Sequence, residues 1–173
     1  MQDEQPTLSI ESKVEWLQKT IIRTDGYLNA ANTKSTIMLT FSMALGTAIC
    51  VNSLYILQMG HMYKVAVILS VLLLLKSSIH SLLAIKPYLK PSAKANIFSF
   101  VDITDKYKTP EEYENKINSV TKEEMINEMS SLNYTLSKGL MGKYKSQQKS
   151  VDSIVLSLAI IFITLAFAAF TGV

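Results

Sequence analysis

The stretch Ile154–Val173, IVLSLAIIFITLAFAAFTGV, decides the fold class, because it contains no charged side chain in 20 residues. A helix of about 20 apolar residues crosses the hydrocarbon core of a bilayer. A second uncharged run, Ile37–Leu57, holds 21 residues. A third, Val65–Leu75, is shorter and reaches spanning length together with the residues up to Ile85. The sequence therefore predicts three transmembrane helices.

The composition supports a membrane protein and excludes other classes. Hydrophobic residues make up 49% and charged residues 18% of the 173 residues, whereas an average soluble chain has about 25% charged residues. This composition excludes a disordered tail protein and argues against an ordinary soluble enzyme. The single cysteine, Cys50, cannot form an internal disulfide, and a net charge of +3 is too small to indicate a nucleic-acid polymer as partner.

The distribution of basic residues predicts the orientation of the chain in the membrane. The segment Lys86–Asp152 contains 11 lysines, whereas the loop QMGHMY between the first two spans contains no lysine or arginine. We therefore expect the N-terminus and the central segment in the cytoplasm and the C-terminus outside. The first 36 residues are polar, so the sequence predicts no cleaved signal peptide.

Apolar residues spaced alternately by four and three precede both the first and the last span, which is typical of paired helices. The first stripe predicts one helix from about Ser9 through Leu57, and the second predicts a helix from about Lys122 to the C-terminus. Thr109 with Pro110 predicts a short helix between them. The expected fold is an all-α membrane protein with three transmembrane helices, two of them extended into a cytoplasmic helical stalk bundle.

These patterns divide the chain into five predicted segments. They are a cytoplasmic N-terminal helix (1–36), transmembrane helix 1 (37–57), transmembrane helix 2 (64–85), a cytoplasmic helical segment (86–153) and transmembrane helix 3 (154–173). Within the fourth segment, we expect Phe98 and Phe100 of NIFSFVDI to pack against the stalk or the membrane surface.

The sequence contains no pattern that indicates a catalytic or metal centre. Two histidines and one cysteine do not form a zinc or haem ligand set at the usual spacing. P-loop, dinucleotide-binding and nucleophile-elbow strings are also missing. The acidic pairs begin predicted helices, where the helix dipole accounts for them. We therefore expect no enzymatic activity, no cofactor and no bound metal.

Arg23 is the only arginine among the 17 basic residues. Its planar guanidinium suits a phosphate group better than a lysine does. Asp25, Asn29 and Asn32 share a helix face at spacings of four and three. Two interpretations stay open: a solvated helix face with Arg23 bridged to an acid of another helix, or a pocket for an anionic ligand.

Four further residues are candidates for gating or for intramembrane polar roles. Lys76 and His80 share a face of the second span, and Lys76 either extends to the cytoplasmic interface or faces a polar bundle interior. Gly139 and Gly142 lie near the change from stalk to membrane. They either permit close helix packing or form a hinge.

Lys143 and Tyr144 lie on the last helix at a height comparable to that of Arg23. Their charge and ring could belong to an anion pocket. Lysines at this height also satisfy the positive-inside bias, which is a sufficient explanation on its own. The sequence leaves both interpretations open.

Taken in order, these features resemble the transmembrane effectors of Pycsar, the bacterial pyrimidine-cyclase antiphage system. The similarity runs from about Ser12 to Ile163 and includes IIRTDGYLNAANTKSTIML, two spans, PYLK, NIFSFVDI and SLNYTLSKGLMGKYKSQQKSVDSIVLSLAIIFI. The matching motifs are an R-x-D pair, a small residue followed by lysine, an aromatic strip and a Lys-Tyr pair: Arg23, Asp25, Thr33, Lys34, Asn96, Phe98, Phe100, Lys143 and Tyr144.

The resemblance implies an antiphage defence effector that senses cUMP or cCMP made by a partner cyclase. Such effectors impair the inner membrane and cause abortive infection. Cations would hold the phosphate, asparagines would contact the base edge and aromatic rings would stack on the base. The expected ligand-binding residues are Arg23, Asp25, Asn29, Lys34, Asn96, Phe98, Lys143 and Tyr144.

The resemblance also sets the expected partners, which are the lipid bilayer, the cyclic nucleotide and further copies of the chain. Because the chain has little cytoplasmic mass, the stalk bundle or an interface between subunits would have to bind the nucleotide. The alternative is a structural or scaffold membrane protein whose cytoplasmic helices bind a protein partner.

Overall fold

The computed structural model describes residues 8–56, 58, 60–87 and 95–171, without the side chains of residues 53–56 and 171. It contains five helices and, within these ranges, no strand, which confirms the all-α prediction. The helices are α1 (Ile10–Ile56), α2 (His61–Ile85), α3 (Phe100–Lys106), α4 (Pro110–Asn118) and α5 (Lys122–Thr171). Residues 88–90 of the PYLK motif, Leu57 and residues 172–173 lie outside the described residues.

Three of the described helices, α1, α2 and α5, are long and apolar enough to cross a membrane. Their apolar parts expose large side chains, among them Ile68, Leu72 and Phe162, each more than half exposed. Side chains of this kind are unfavourable in water and favourable in lipid. The prediction of three transmembrane helices is confirmed.

Helix α1 begins at the residue that the sequence predicts. The Ser9 hydroxyl accepts a hydrogen bond from the Ser12 amide at 3.2 Å, and the Ser9 carbonyl accepts one from the Lys13 amide at 3.0 Å. The first bond gives a partner to an amide of the first turn that has none within the helix, and the second is the first backbone bond of the helix. The stripe spaced by four and three is the buried side of α1, with Leu17 and Ala31 among its enclosed members.

Helix α5 begins at a threonine cap and then runs without a break for 50 residues. The Thr121 hydroxyl accepts a hydrogen bond from the Glu124 amide at 3.1 Å. At 1.5 Å per residue the helix is about 75 Å long, which is far more than a bilayer core requires. Both α1 and α5 therefore extend beyond the apolar runs that they contain.

The chain divides into two compact units. The polar unit comprises Met1–Leu28 and Pro87–Leu140, and so contains the first part of α1, all of α3 and α4, and the first part of α5. The membrane unit comprises Asn29–Lys86 and Met141–Val173, and so contains the rest of α1, all of α2 and the rest of α5. Helices α1 and α5 thus contribute to both units.

Among the described residues of the polar unit, two ion pairs join different helices. Lys122 at the start of α5 lies 2.9 Å from Glu11 at the start of α1, and its hydrogen bond lowers the pKa of the Glu11 carboxyl group. Lys116 of α4 lies 2.6 Å from Glu124 of α5, and this hydrogen bond raises the pKa of the Lys116 ammonium. The first pair is largely exposed, so its contribution to stability is small.

Candidate functional site

Most of the buried side chains of the membrane unit are serines, and Leu74 is among the few large apolar ones. Four hydroxyl groups from α1, α2 and α5 form one hydrogen-bonded group, which we call the serine cluster: Ser42, Ser77, Ser81 and Ser150. The Ser77 hydroxyl lies 2.8 Å from that of Ser42 and 2.7 Å from that of Ser150. The Ser81 hydroxyl lies 2.8 Å from that of Ser150. All four side chains are buried.

The serine cluster has a clear physical role in a membrane. Small side chains let helices approach closely in lipid, where no hydrophobic effect drives helix association. Hydrogen bonds between helices in this setting contribute about 0.6 kcal/mol each on average. The cluster therefore fixes the registers of α1, α2 and α5 with modest energy per contact. No pattern in the sequence singled out these serines.

Lys143 lies at the C-terminal end of α2 and completes the hydrogen bonding there. Its ammonium donates to the side-chain oxygen of Asn32 at 2.9 Å and to the main-chain carbonyl of Ala84. The carbonyls of Ile85 and Lys86 lie 3.5 Å and 3.4 Å away. These are carbonyls that have no partner inside the helix, and a cation is favourable near them. A phosphate at Lys143 would have to compete with these acceptors.

Gln147 joins α5 to α1 one turn further along. Its side-chain amide donates to the carbonyl of Ala31 at 2.6 Å and lies 2.9 Å from the hydroxyl of Ser35. Gln147, Ala31 and Ser35 are all buried. The sequence did not predict this contact, because nothing in the polar run distinguishes Gln147 from Gln148.

A cavity of about 110 Å³ lies between the helices of the membrane unit. Its walls are mostly apolar and include Ile49, Tyr63 and Ile161, together with Ser70 and Thr164. The Ser70 hydroxyl is buried and has no hydrogen-bond partner among the described residues. The membrane unit is thus less completely packed here than at the serine cluster.

Asn96 organises the turn before α3 in the polar unit and is only 3% exposed. Its side-chain amide donates to the main-chain carbonyl of Glu128 at 2.6 Å, and its side-chain oxygen accepts from the Phe98 amide at 2.9 Å. Its main-chain amide donates to the Asp102 carboxylate at 3.1 Å. These bonds make Asn96 a structural residue of this turn, and a base edge would have to displace them.

Two buried carboxylates support the same turn. Asp102 accepts from the Asn96 amide, and Glu128 lies 3.4 Å from the Ile97 amide. The Tyr113 hydroxyl donates to the Ile97 carbonyl at 2.9 Å. The turn is therefore attached to α3, α4 and α5 through main-chain groups, a set of contacts that the sequence analysis did not foresee.

The aromatic residues of the same segment were expected to pack against the stalk or against the membrane surface. Phe98 is 37% exposed and Phe100 is 69% exposed, whereas Ile97 is buried. Phe100, at the first position of α3, does not pack against the stalk, where Ile97 takes the buried place, and packing of Phe100 against the membrane surface stays a prediction. The exposed face of Phe98 remains accessible for stacking.

The candidate residues of α1 are exposed and not engaged. The side chains of Arg23, Asp25, Asn29 and Lys34 form no hydrogen bond or ion pair with any residue that the structure describes. Thr24, beside Arg23, is buried and its hydroxyl lies 3.4 Å from the side-chain oxygen of Asn133. Arg23 is therefore not bridged to an acid of another helix within the described chain, and its guanidinium is available to a ligand.

The gating candidates fall into two pairs. Lys76 is exposed on the outer surface of the membrane unit, so it does not face the interior of this bundle, and His80 is half-buried.

A methyl group added at Gly139 or Gly142 would meet no atom within 4 Å. Close helix packing therefore does not account for either glycine, and the hinge remains a hypothesis.

The eight expected ligand residues are divided between the two units. Arg23, Asp25, Asn96 and Phe98 belong to the polar unit, where a hydrogen bond joins Asn96 to Phe98. Those of the membrane unit are Asn29, Lys34, Lys143 and the partly exposed Tyr144. Among the residues that the structure describes, no group of three or more His, Cys, Asp or Glu side chains could hold a metal ion.

Comparison with known proteins gives one match. The family model for the Pycsar effector protein domain, PycTM, matches residues 16–170. No curated protein and no solved structure gives a match. The matched range includes Arg23 as well as most of the three helices that can cross a membrane. The chain therefore belongs to the Pycsar effector family and is an antiphage defence effector built on three membrane-spanning helices.

Proposed function

We propose that this effector senses a cyclic pyrimidine mononucleotide, cUMP or cCMP, made by a partner cyclase, and responds by impairing the membrane in which it lies. Membership of the Pycsar effector family supports the proposal. The observation that carries it to particular residues is the exposed guanidinium of Arg23, which has no partner among the described residues. A free guanidinium binds a phosphate through paired hydrogen bonds.

The residues proposed to contact the nucleotide differ in whether their side chains are free or already bonded within the chain. Arg23 holds the phosphate, and the exposed ring of Phe98 in the same unit stacks on the pyrimidine. Asn29 and Lys34 are unengaged and remain candidates for the base edge and the phosphate. Lys143 and Asn96 are already hydrogen-bonded within the chain, so we rank them below the others.

The proposed response follows from the continuity of α1. The same helix carries Arg23 near one end and a membrane-spanning run near the other. A ligand that favours one arrangement of α1 over another shifts the population of membrane arrangements by its difference in affinity. The consequence for the infected cell would be loss of inner-membrane integrity and abortive infection.

Binding of nucleotide to the purified full chain in detergent tests the proposal. Isothermal titration with cUMP and cCMP should give saturable binding, and cAMP should bind more weakly. Arg23→Ala should weaken binding by about 10- to 100-fold, because a hydrogen bond to a charged group contributes about 1.5–3 kcal/mol. Lys13→Ala, on an exposed part of the same helix, is the matched control. Unchanged affinity in Arg23→Ala would remove Arg23 from the site.

The orientation in the membrane is part of the same proposal. The lysine-rich central segment favours the cytoplasm for the polar unit, with the C-terminus outside and the inner membrane as location. A cytoplasmic polar unit is where a cyclase product would be encountered.

A scaffold function is the second candidate, and exposed apolar residues of α1 favour it. Trp16 and Ile22 lie in the polar unit and are each about 60% or more exposed. A protein partner could cover them. The scaffold function predicts a complex of fixed stoichiometry that forms without nucleotide, whereas the effector function predicts nucleotide dependence.

A further inference from the structure

Two opposite charges lie on the outer surface of the membrane unit and have no partner within it. Lys76 is exposed on α2 and Asp152 is exposed on α5. Neither forms a hydrogen bond or ion pair with any residue that the structure describes. Lys149, one turn before Asp152 on the same helix, does not pair with it either. Both charges lie at an end of an apolar run, since Lys76 directly follows Val65–Leu75 and Asp152 lies two residues before Ile154–Val173, so a charged partner beside the membrane can reach each of them.

The contacts between α2 and α5 show that these helices run in opposite directions. Lys143 contacts Ala84 near the end of α2, and the Ser157 hydroxyl donates to the Ser70 carbonyl at 3.1 Å. Residue numbers therefore fall along α2 while they rise along α5. The Ser77–Ser150 contact lies between these two points.

The same contacts place the two charges at one depth. The hydroxyls of Ser77 and Ser150 are 2.7 Å apart. Lys76 is one residue from Ser77 and Asp152 is two residues from Ser150, both in the same axial direction. With a rise of about 1.5 Å per residue, the two positions differ in height by only about 1.5 Å.

Apolar side chains border Lys76 on both sides along α2, whereas Asp152 has apolar neighbours on one side along α5 and the exposed Gln148 and Lys149 on the other. On α2, Leu72 and Ile79 lie one turn to either side of Lys76 and are at least half exposed. On α5, Val155 lies one turn beyond Asp152 and is 59% exposed. A copy of the same chain at the same depth presents a complementary charge to each of them, next to exposed apolar side chains that can pack at a helix contact in lipid.

We propose that Lys76 of one copy pairs with Asp152 of the next copy, so that the membrane units assemble side by side through α2 and α5. Because the two residues lie on different helices, the contact joins the α2 surface of one copy to the α5 surface of the next. Repetition of this contact forms a closed ring if the rotation between neighbouring copies brings the last copy back to the first. The partner is a second copy, since charge and depth match within this one sequence. The inference rests on the proposed function in one respect, because the assembled copies would be what impairs the membrane.

Charge exchange in the full chain tests the pairing. The protein is reconstituted in vesicles of bacterial polar lipids without nucleotide, so that failure of nucleotide sensing cannot affect the result. Lys76→Asp and Asp152→Lys should each weaken self-association by at least tenfold, measured by energy transfer between labelled copies. The double variant K76D/D152K should restore association to within about threefold of the original.

The control is a charge exchange at a lysine that lies outside the proposed contact. Lys145 is exposed on α5 outside the proposed contact, so K145D combined with D152K should not restore association. Unchanged association in both single variants, as expected if Lys76 extends to lipid headgroups and Asp152 is hydrated, would overturn the pairing. So would failure of K76D/D152K to restore association while its circular dichroism shows an intact helical fold.

Cross-linking gives a second measurement that does not depend on folding of charge-reversed variants. In a Cys50→Ala background, Leu72→Cys and Val155→Cys copies, which lie one turn from the two charges and retain both, are mixed in vesicles and treated with a short bis-maleimide. A cross-linked dimer should form in the mixture and be at least fivefold less abundant in either variant alone. Equal yields in the mixture and in the separate variants would contradict a contact between these two positions.

Discussion

Individual residues of the polar unit show how a turn without regular structure is held in place. Asn96 uses its main-chain amide and both ends of its side chain in hydrogen bonds, and two buried carboxylates receive amides of the same turn. The sequence could not reveal this, because Glu128 lies 32 residues away from Asn96. An asparagine beside aromatic residues looked like a ligand contact. Arg23 is exposed, as its position off the apolar stripe of α1 predicts, and its role in ligand binding stays a prediction.

We predict that Asn96→Ala destabilises the polar unit by about 1–3 kcal/mol, because the Glu128 carbonyl and the Phe98 amide lose buried partners. Thermal unfolding in detergent, followed by circular dichroism, should show a lower midpoint for this variant. Asn127→Ala, which changes an exposed asparagine of α5, should leave the midpoint unchanged. Equal midpoints for both variants would show that the turn is not held by Asn96.

At the scale of helices, local sequence signals predicted where helices begin. Contacts between residues far apart in the sequence were not predicted. The starts of α1, α4 and α5 follow from Ser9, Thr109 and Thr121, since a capping hydroxyl acts within its own first turn. The serine cluster was missed although Ser150 continues the stripe of α5. The stripes are recognised mainly by their large apolar residues, whereas helix contacts in a membrane are formed by small and weakly polar ones.

The end of α2 gives a prediction at the same scale. Lys143→Met retains most of the side-chain length but removes the ammonium from the carbonyls of Ala84, Ile85 and Lys86. We expect a loss of about 1–2 kcal/mol, because a partly buried cation at a helix C-terminus contributes up to about 2 kcal/mol. Denaturation of the reconstituted chain should show this loss, whereas Lys145→Met, at an exposed lysine nearby, should show none.

At the scale of the whole molecule, the sequence predicted the number of spans and the helical class, because both depend on composition over long stretches. The structure adds that α1 and α5 contribute to a polar unit as well as to a membrane unit. The location of the ligand site could not be predicted, since the expected residues are distributed over both units. A short motif identifies residue types, whereas a site requires their arrangement in space.

The proposed orientation is testable on the intact cell. An impermeant amine reagent should label Lys106, in the polar unit, only after the inner membrane is opened, if that unit is cytoplasmic. Labelling should be followed by mass spectrometry of the purified chain. Labelling of Lys106 in sealed spheroplasts would place the polar unit outside and reverse the proposed topology.

The proposed function requires that a cyclic pyrimidine nucleotide makes this protein permeabilise a membrane. Its most direct test is release of a trapped dye from vesicles that contain only the purified chain. Addition of cUMP or cCMP should release the dye within minutes, Arg23→Ala vesicles should require at least tenfold more nucleotide, and protein-free vesicles should stay sealed. Sealed vesicles at nucleotide concentrations that saturate binding would contradict the account.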